Sequence, residues 1–210
     1  MEKCDYLCRE YNEEVFSIKF TKARGEYEVL TIRKAKAEDI DTIMEIYVRA
    51  RRFMAQTGNP NQWGNEKPYQ EWIEQDIKAG KCYVCVEQVT DKKIIDEISE
   101  ANSVTEKEII VAVFYFSIEE DPTYRIIYDG QWLNDNLYGV VHRIASAGSV
   151  KGAGEYCLKW AINQCGNLRI DTHEDNIVMQ TLLKKIGFQE CGVIHLKNGD
   201  PRLAYQYENK

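Results

Sequence analysis

The stretch G-S-V-K-G-A-G-E-Y-C-L-K-W-A, residues 148–161, follows an apolar run from Tyr138 to Ala145 that predicts a buried strand. The stretch itself predicts a glycine-containing turn that opens into a helix. The first backbone N–H groups of a helix have no partner inside it, and the helix dipole adds partial positive charge there. Gly152 and Gly154 lack a Cβ, so an anion can approach the backbone closely, and Lys151 adds a cation. These features favour a phosphate site, although a tight turn without a ligand explains this segment alone equally well.

Known phosphate-binding fingerprints narrow the kind of ligand that this turn would suit. A dinucleotide fingerprint requires glycine or alanine at its third site, where this chain has Cys157. That fold also needs an acidic residue about 20 residues further on, and the nearest in count, Asp171, lies inside the next predicted strand. No G-x-x-x-x-G-K-[ST] sequence occurs, so a P-loop is not supported. The sequence therefore indicates a pyrophosphate of another kind.

The remaining C-terminal sequence continues an alternating pattern of strands and helices. A helix over Asn176–Ile186 is predicted by its apolar face and by Gly187 after its last residue. The predicted strands of this part are Asn167–Thr172, Gln189–Leu196 and Arg202–Tyr207, the last two joined by the hairpin signal Asn198-Gly199.

The N-terminal half predicts the same mixture of elements. Residues 1–27 are charged and mixed, and we expect an extension there with a strand in Val15–Phe20. Strands are predicted over Val29–Arg33, Cys82–Glu87 and Ile109–Ile118, and helices over residues 37–57 and Pro68–Ile77. Between the last two strands, Val89–Glu108 reads as a polar insertion, longer than a hairpin needs.

From about Glu28 to Tyr207 the chain resembles the GNAT N-acetyltransferase superfamily. Ser149-Val150-Lys151-Gly152-Ala153-Gly154 is similar to that family's acetyl-CoA motif, R/Q-x-x-G-x-G/A, with Ser149 in place of Gln or Arg. The sequences D-T-H-E-D-N (171–176) and K-I-G-F (185–188) are similar to its second motif. The resemblance implies an α/β fold: a mixed, mostly antiparallel sheet with a central parallel, splayed strand pair, flanked by helices. It implies an acetyltransferase domain over 28–210, after an extension over 1–27.

The resemblance also implies where acetyl-CoA would bind. The acyl-CoA would lie in a cleft where Tyr138–Ala145 and Asn167–Thr172 splay apart. Backbone groups of Ile144 and Ala145 would pair with the pantetheine arm, and Asn176 would hydrogen-bond that arm, with a plain helix N-cap as the alternative role of Asn176. The pyrophosphate would meet backbone amides of the loop residues Lys151, Gly152, Ala153, Gly154 and Glu155.

N-acetyl transfer needs a group that takes a proton from the attacking amine. His142 on the predicted central strand is the first candidate, with a buried structural histidine as the alternative, and His173 is the second. A relay through water stays open. Many family members supply a proton to the leaving thiolate from a Tyr seven residues after the Asn; Leu183 stands there, so we transfer that role to no residue. Arg143, Arg169 and Asp171 share the neighbourhood of this strand pair, where a buried ion pair is one option; such a pair is more often structural than catalytic.

Composition limits the partners and the compartment. The formal net charge of −7 argues against a nucleic-acid partner and suits a cationic amine only weakly. No run of about 18 apolar residues predicts a membrane span, and no apolar signal core follows Met1. The seven cysteines are scattered, which fits a reduced cytoplasm. Cys82 and Cys85 would point to opposite faces of a strand, which disfavours a zinc or redox pair, and no metal is expected.

The acceptor pocket is expected from the loop after the first helix and from residues 121–124 and 129–133. Its candidate groups are Asp121, Asp129 and Asp135 for an ammonium and Trp63 and Trp132 for stacking, unless the aromatic rings only cap the core.

The sequence thus predicts an acetyl-CoA-dependent N-acetyltransferase that acts on a primary amine of a small molecule or protein; a homodimer stays open. The alternative is a non-catalytic acyl-CoA-binding regulatory module. The acidic balance counts against a third hypothesis, a toxin that acetylates aminoacyl-tRNA.

Overall fold

A computed structural model describes residues 19–21, 27–90 and 107–209 of the chain. These residues form one sheet of eight strands. The strands are β1 (Lys19–Thr21), β2 (Tyr27–Lys34), β3 (Cys82–Thr90), β4 (Lys107–Ile118), β5 (Gly139–Ser146), β6 (Asn167–Thr172), β7 (Gln189–His195) and β8 (Pro201–Glu208). The helices that flank them are α1 (Ile40–Gln56), α2 (Gln70–Lys78), α3 (Ala153–Cys165) and α4 (Ile177–Ile186).

The spatial order of the strands is β1-β2-β3-β4-β5-β6-β8-β7. Strands β5 and β6 are parallel, and the other neighbouring pairs are antiparallel. Helix α3 makes the crossover that a parallel pair requires. The predicted fold class, a mixed and mostly antiparallel sheet with one central parallel pair between helices, is confirmed.

The parallel pair separates soon after it begins. Gly139 pairs with Leu168 and Val140 with Arg169, and no later residue of β5 pairs with β6. Beyond that point β5 continues beside β4 as far as Ser146, and β6 continues beside β8 as far as Thr172. The predicted splay between the two strands is therefore present, and it opens a cleft at their carboxyl ends.

A bulge in β5 lies at the start of this cleft. His142 pairs with Tyr115 and Ala145 with Val113, so Arg143 and Ile144 lie opposite Phe114 alone. Arg143 has a positive φ of 52°. An extra residue of this kind bends a strand and re-aims its side chains. Here His142 and Arg143, which would otherwise alternate across the sheet, both contact the ring of Tyr115.

The two faces of the sheet bury separate hydrophobic clusters. One cluster packs against α3 and α4 and includes Cys85, Leu158 and the fully buried Leu183. The other packs against α1 and α2 and includes Cys82 and Ile73. Cys82 and Cys85 thus point to opposite faces, as predicted. Leu183, at the position where many family members have a tyrosine, is thus a packing residue of the first cluster.

The polar insertion predicted over Val89–Glu108 is shorter than expected. Strand β3 continues to Thr90 and β4 begins at Lys107, because Gln88 pairs with Glu108 and Val89 with Lys107. The antiparallel ladder thus carries polar residues beyond the apolar core of each strand. The rest of the predicted insertion, and most of the strand predicted over Val15–Phe20, lie outside the described residues, while Lys19–Thr21 pairs with β2 at the sheet edge.

No helix in the described ranges combines the length and the apolar character that a membrane crossing requires.

Candidate active site

The turn between β5 and α3 has the geometry of an anion site. Gly152 is the N-cap of α3 and has a φ of +88°, which L side chains rarely adopt. The N–H of Tyr156 donates to the Gly152 carbonyl at 2.9 Å, so the first regular helical hydrogen bond begins there. The amides of residues 154 and 155 precede it and lack that intrahelical partner. Among the described residues, a Cβ at Gly152 would meet nothing within 4 Å, and one at Gly154 would meet only Leu182 Cδ2 at 3.8 Å.

Two cations stand at this turn. The exposed Lys151 lies within it, as predicted. Arg49 of α1 is the second: a Cβ added at Gly148 would lie 3.0 Å from Arg49 Nη2. Sequence reasoning missed Arg49, because it lies about a hundred residues earlier in the chain and no local motif marks it. Free helix amides, a glycine turn and two cations together fit a pyrophosphate.

Glu155 has a further role that the sequence did not predict. Its carboxylate accepts from Lys185 Nζ at 2.5 Å and pairs with Lys159 Nζ at 2.9 Å. The hydrogen bond from Lys185, followed by that from Lys159, lowers the pKa of Glu155. Its side chain therefore ties α3 to α4. The backbone contact to a ligand stays a prediction.

The open edge of β5 holds the residues predicted to face the pantetheine arm. Ala145 is buried and paired with Val113 on the β4 side, and Ile144 packs partly buried against the α3 and α4 cluster. Tyr47 of α1 donates from its hydroxyl to the Arg143 carbonyl at 2.9 Å and holds the bulge. Beyond Val140, the edge of β5 that faces β6 has no pairing with that strand.

Asn176 is the N-cap of α4. Its Oδ1 accepts from the Met179 N–H at 3.1 Å, and its Nδ2 donates to Gln62 Oε1 at 2.9 Å. Asn59 donates to the same Gln62 oxygen at 2.7 Å. The capping role of Asn176 is therefore present. The hydrogen bonds to Gln62 connect the loop after α1 to the start of α4. The contact of Asn176 with a cofactor stays a prediction.

His142 lies at the start of the cleft with a carboxylate on each side. Its Nε2 is 2.7 Å from Asp121 Oδ2, and its Nδ1 is 3.7 Å from Asp171 Oδ1 on β6. Tyr124 donates its hydroxyl to that Asp171 oxygen at 2.7 Å. The His142 side chain is 22% exposed. The second candidate base, His173, instead accepts the Asp175 N–H at its Nδ1, at 3.1 Å.

Arg143, Arg169 and Asp171 do not form the ion pair that their shared neighbourhood allowed. The bulge turns Arg143 toward α2, where its guanidinium pairs with Asp76. Burial raises the pKa of Asp76, against the opposing effect of Arg143. Arg169 lies between the rings of Trp132 and Tyr138, with its guanidinium carbon 4.2 and 3.9 Å from their centroids.

Three of the five residues predicted for the acceptor pocket already contact other residues of the protein. Asp121 is engaged by His142, and Trp132 donates its indole N–H to the Tyr124 carbonyl at 2.9 Å. Trp63 packs edge-on against Tyr47 at 5.6 Å between ring centroids. Asp129 and Asp135 are exposed. Their contact with an amine stays a prediction.

No protein-family model matches the chain, and no curated protein sequence matches it. Several solved structures are similar to it. A GNAT-family acetyltransferase from Streptococcus agalactiae is 30% identical, with a TM-score of 0.70 over 89% of this chain and 97% of that one. A GNAT-family acetyltransferase from Listeria monocytogenes is 19% identical, with a TM-score of 0.57 over 91% of this chain and 100% of that one.

The NatC complex bound to Gag peptide and CoA includes a chain with a TM-score of 0.52 at 10% identity, over 86% of this chain and 99% of that one. At such identities the Listeria and NatC structures show the fold alone. The identity with the streptococcal enzyme, over nearly the full length of both chains, carries the assignment: this protein belongs to the GNAT acetyltransferase family.

Proposed function

We propose that the protein is an acetyl-CoA-dependent N-acetyltransferase that acetylates a primary amine of a small molecule or a protein. The observation that carries this proposal is the position of His142: its imidazole is 22% exposed and lies near the point where β5 leaves β6, on the strand that leads to the glycine turn at the start of α3. Family membership supports acetyl transfer in general.

The donor group would be held by residues of β5, α3 and α1. The amides of Gly154 and Glu155, with Lys151 and Arg49, suit the pyrophosphate. The edge of β5 at Ile144 and Ala145 that faces β6 suits the amide groups of the pantetheine arm, because an extended ligand can hydrogen-bond to such an edge as a neighbouring strand would. Acetyl-CoA, when bound, supplies an acyl group activated as a thioester.

His142 would take the proton from the amine. His142 Nε2 lies 2.7 Å from Asp121 Oδ2, and when Nε2 carries the hydrogen of this contact the neutral imidazole has its lone pair on Nδ1, which lies 3.7 Å from Asp171 Oδ1 of β6. A base in this position must be unprotonated to act.

The test is release of free thiol from acetyl-CoA in the presence of a panel of amines, with the acetylated product identified by mass spectrometry. His142→Ala is expected to lower turnover by about 10²–10⁴-fold and to leave coenzyme A affinity nearly intact. His195→Ala on β7 is the matched control, and His173→Ala separates the two candidate bases. A folded His142→Ala variant with full turnover would return His142 to a structural role.

A non-catalytic acyl-CoA-binding regulatory module is the second candidate. It is favoured by Leu183, which is fully buried where many family members place a tyrosine acid. Binding of coenzyme A without thiol release on any amine of the panel would identify this function.

A further inference from the structure

The segment 119–138 connects β4 to β5 and contacts strands β7 and β8 at several points. The Leu133 N–H donates to Gln206 Oε1 on β8 at 2.8 Å, and Tyr128 and Val193 of β7 exchange two backbone hydrogen bonds of 2.8 Å. A Cβ at Gly130 would lie 2.0 Å from the Cys191 carbonyl, so the segment approaches β7 too closely for any other residue.

Arg169 of β6 contacts the segment 119–138 at three residues. It is 4% exposed, lies between the rings of Trp132 and Tyr138, and donates from Nη2 to the Asn134 carbonyl at 2.7 Å. A desolvated cation between two aromatic faces is a strong contact. The segment is therefore held as a fixed part of the sheet's surface.

This attachment fixes the carboxylate of Asp121. Its Oδ1 accepts from the Thr123 N–H at 2.7 Å and from the Thr123 hydroxyl at 2.6 Å, while its own N–H donates to the Tyr138 hydroxyl at 3.1 Å. The second carboxylate oxygen, Oδ2, does not contact Thr123 and lies 2.7 Å from His142 Nε2. Asp121 thus faces the imidazole with one oxygen in one orientation.

The charge of Asp121 decides which nitrogen of His142 carries the proton. Burial favours the neutral acid, but the hydrogen bonds from His142 and Thr123 outweigh it and hold the pKa of Asp121 well below its usual range. An ionised carboxylate only accepts hydrogen bonds, so Nε2 carries the hydrogen of this contact, and in the neutral imidazole the lone pair is then on Nδ1. Asp171 Oδ1, 3.7 Å from Nδ1, already accepts from Tyr124.

We infer that Asp121 is a positioning residue for the transfer reaction and that the segment 119–138 belongs to the active site because it delivers this carboxylate. The inference rests on the proposed function of His142. Asp121 fixes the tautomer in which Nδ1 is basic, holds the ring in the cleft and stabilises the imidazolium once the proton arrives. Without it the ring can adopt the tautomer that presents N–H to the cleft and cannot act as a base.

The test compares Asp121→Asn and Asp121→Ala with Glu120→Gln, an adjacent acidic residue that is 75% exposed and paired with Arg125. The chain has three histidines, so the ring nitrogens of His142 can be assigned by nuclear magnetic resonance without any substrate. The charged and titratable groups in contact with the ring are Tyr115, Asp121, Tyr124 and Asp171, and the nearby pair of Arg143 with Asp76 adds two further charges.

The parent and Glu120→Gln are expected to show His142 protonated at Nε2, and both Asp121 variants to lose that single tautomer. Turnover of the Asp121 variants should fall by about 10²–10⁴-fold, as for a misplaced histidine tautomer in other enzymes, with the KM for acetyl-CoA nearly unchanged. Because Asp121 acts through His142, the double variant with His142→Ala should be no slower than His142→Ala alone.

The outcomes separate this inference from the proposed function. If His142→Ala abolishes turnover but Asp121→Asn keeps both the rate and the Nε2–H signal, Asp121 has no positioning role and the function stands. If His142→Ala keeps full turnover, the assignment of His142 as base fails and the inference fails with it. Should Asp121→Ala not fold, Asp121→Asn preserves the shape and supplies the same comparison.

Discussion

At the scale of single residues, the two glycines of the phosphate turn have different reasons to be glycine. Gly152 needs its positive φ of 88°, whereas Gly154 has an ordinary helical φ and space for a side chain. Gly154→Asp should therefore fold, and an acidic residue in the first turn even favours the helix by about 0.3–1 kcal/mol. Its carboxylate would repel a pyrophosphate, so coenzyme A affinity is expected to fall about tenfold or more, ~1.4 kcal/mol by calorimetry.

Gly154→Ala is the matched control, because its Cβ would make only an ordinary contact of 3.8 Å with Leu182. It should retain most of the affinity. Equal binding of coenzyme A to the parent and to Gly154→Asp would mean that the cofactor does not lie at this turn.

The sequence predicted the residues of the site that lie in local motifs and missed those brought there by the fold. The glycine turn, the Asn176 cap and His142 follow from short-range patterns, since a turn, a cap and a strand each depend on a few neighbouring residues. Arg49 reaches the turn from α1. The pairing of Asp121 with His142 depends on how the segment 119–138 folds back, which no local pattern encodes.

At the scale of elements, the segment 119–138 is expected to depend on Arg169. Removing the guanidinium takes away two aromatic contacts and the hydrogen bond to Asn134. Arg169→Ala should lower the free energy of unfolding by about 2–4 kcal/mol in chemical denaturation. It should also lower turnover, because Asp121 is no longer held against His142.

Arg125→Ala is the control for this loss of charge in the same neighbourhood. Arg125 is exposed and pairs with Glu120 at 3.6 Å, so its removal should change the free energy of unfolding by no more than about 0.5 kcal/mol. If Arg169→Ala were as stable and as active as Arg125→Ala, the segment 119–138 would be held by its other contacts.

The sequence predicted the bounds of regular strands and helices to within a few residues, but it did not predict the irregular bulge in β5. Asn167–Thr172 was predicted to the residue, and α4 begins one residue after the predicted start because Asn176 is its cap. The bulge at Arg143 was not predicted, because it arises from the register between β4 and β5 rather than from β5 itself. That register places His142 and Arg143 on one face, and the alternation of a regular strand would have separated them.

At the scale of the whole molecule, the cleft is built from the middle of the sheet and the helices around it. Strands β5 and β6 separate between α3 and α4 on one face and α1 and α2 on the other. The residues that we assign to donor binding lie on β5, α1, α3 and the loop before α3. The edge formed by β1 and β2 contributes none of them.

A chain lacking residues 1–25 is therefore expected to fold and to bind coenzyme A as the full chain does. It loses the three-residue strand Lys19–Thr21, whose one partner among the described strands is β2 at the sheet edge, while the remaining described strands keep their neighbours. Circular dichroism, thermal unfolding and calorimetry with coenzyme A check this, with the full chain as control. The newly exposed edge of β2 can promote association, so the mass in solution is measured as well. A soluble truncated chain that has lost coenzyme A binding, or one that cannot fold, would show that the extension belongs to the core of the domain.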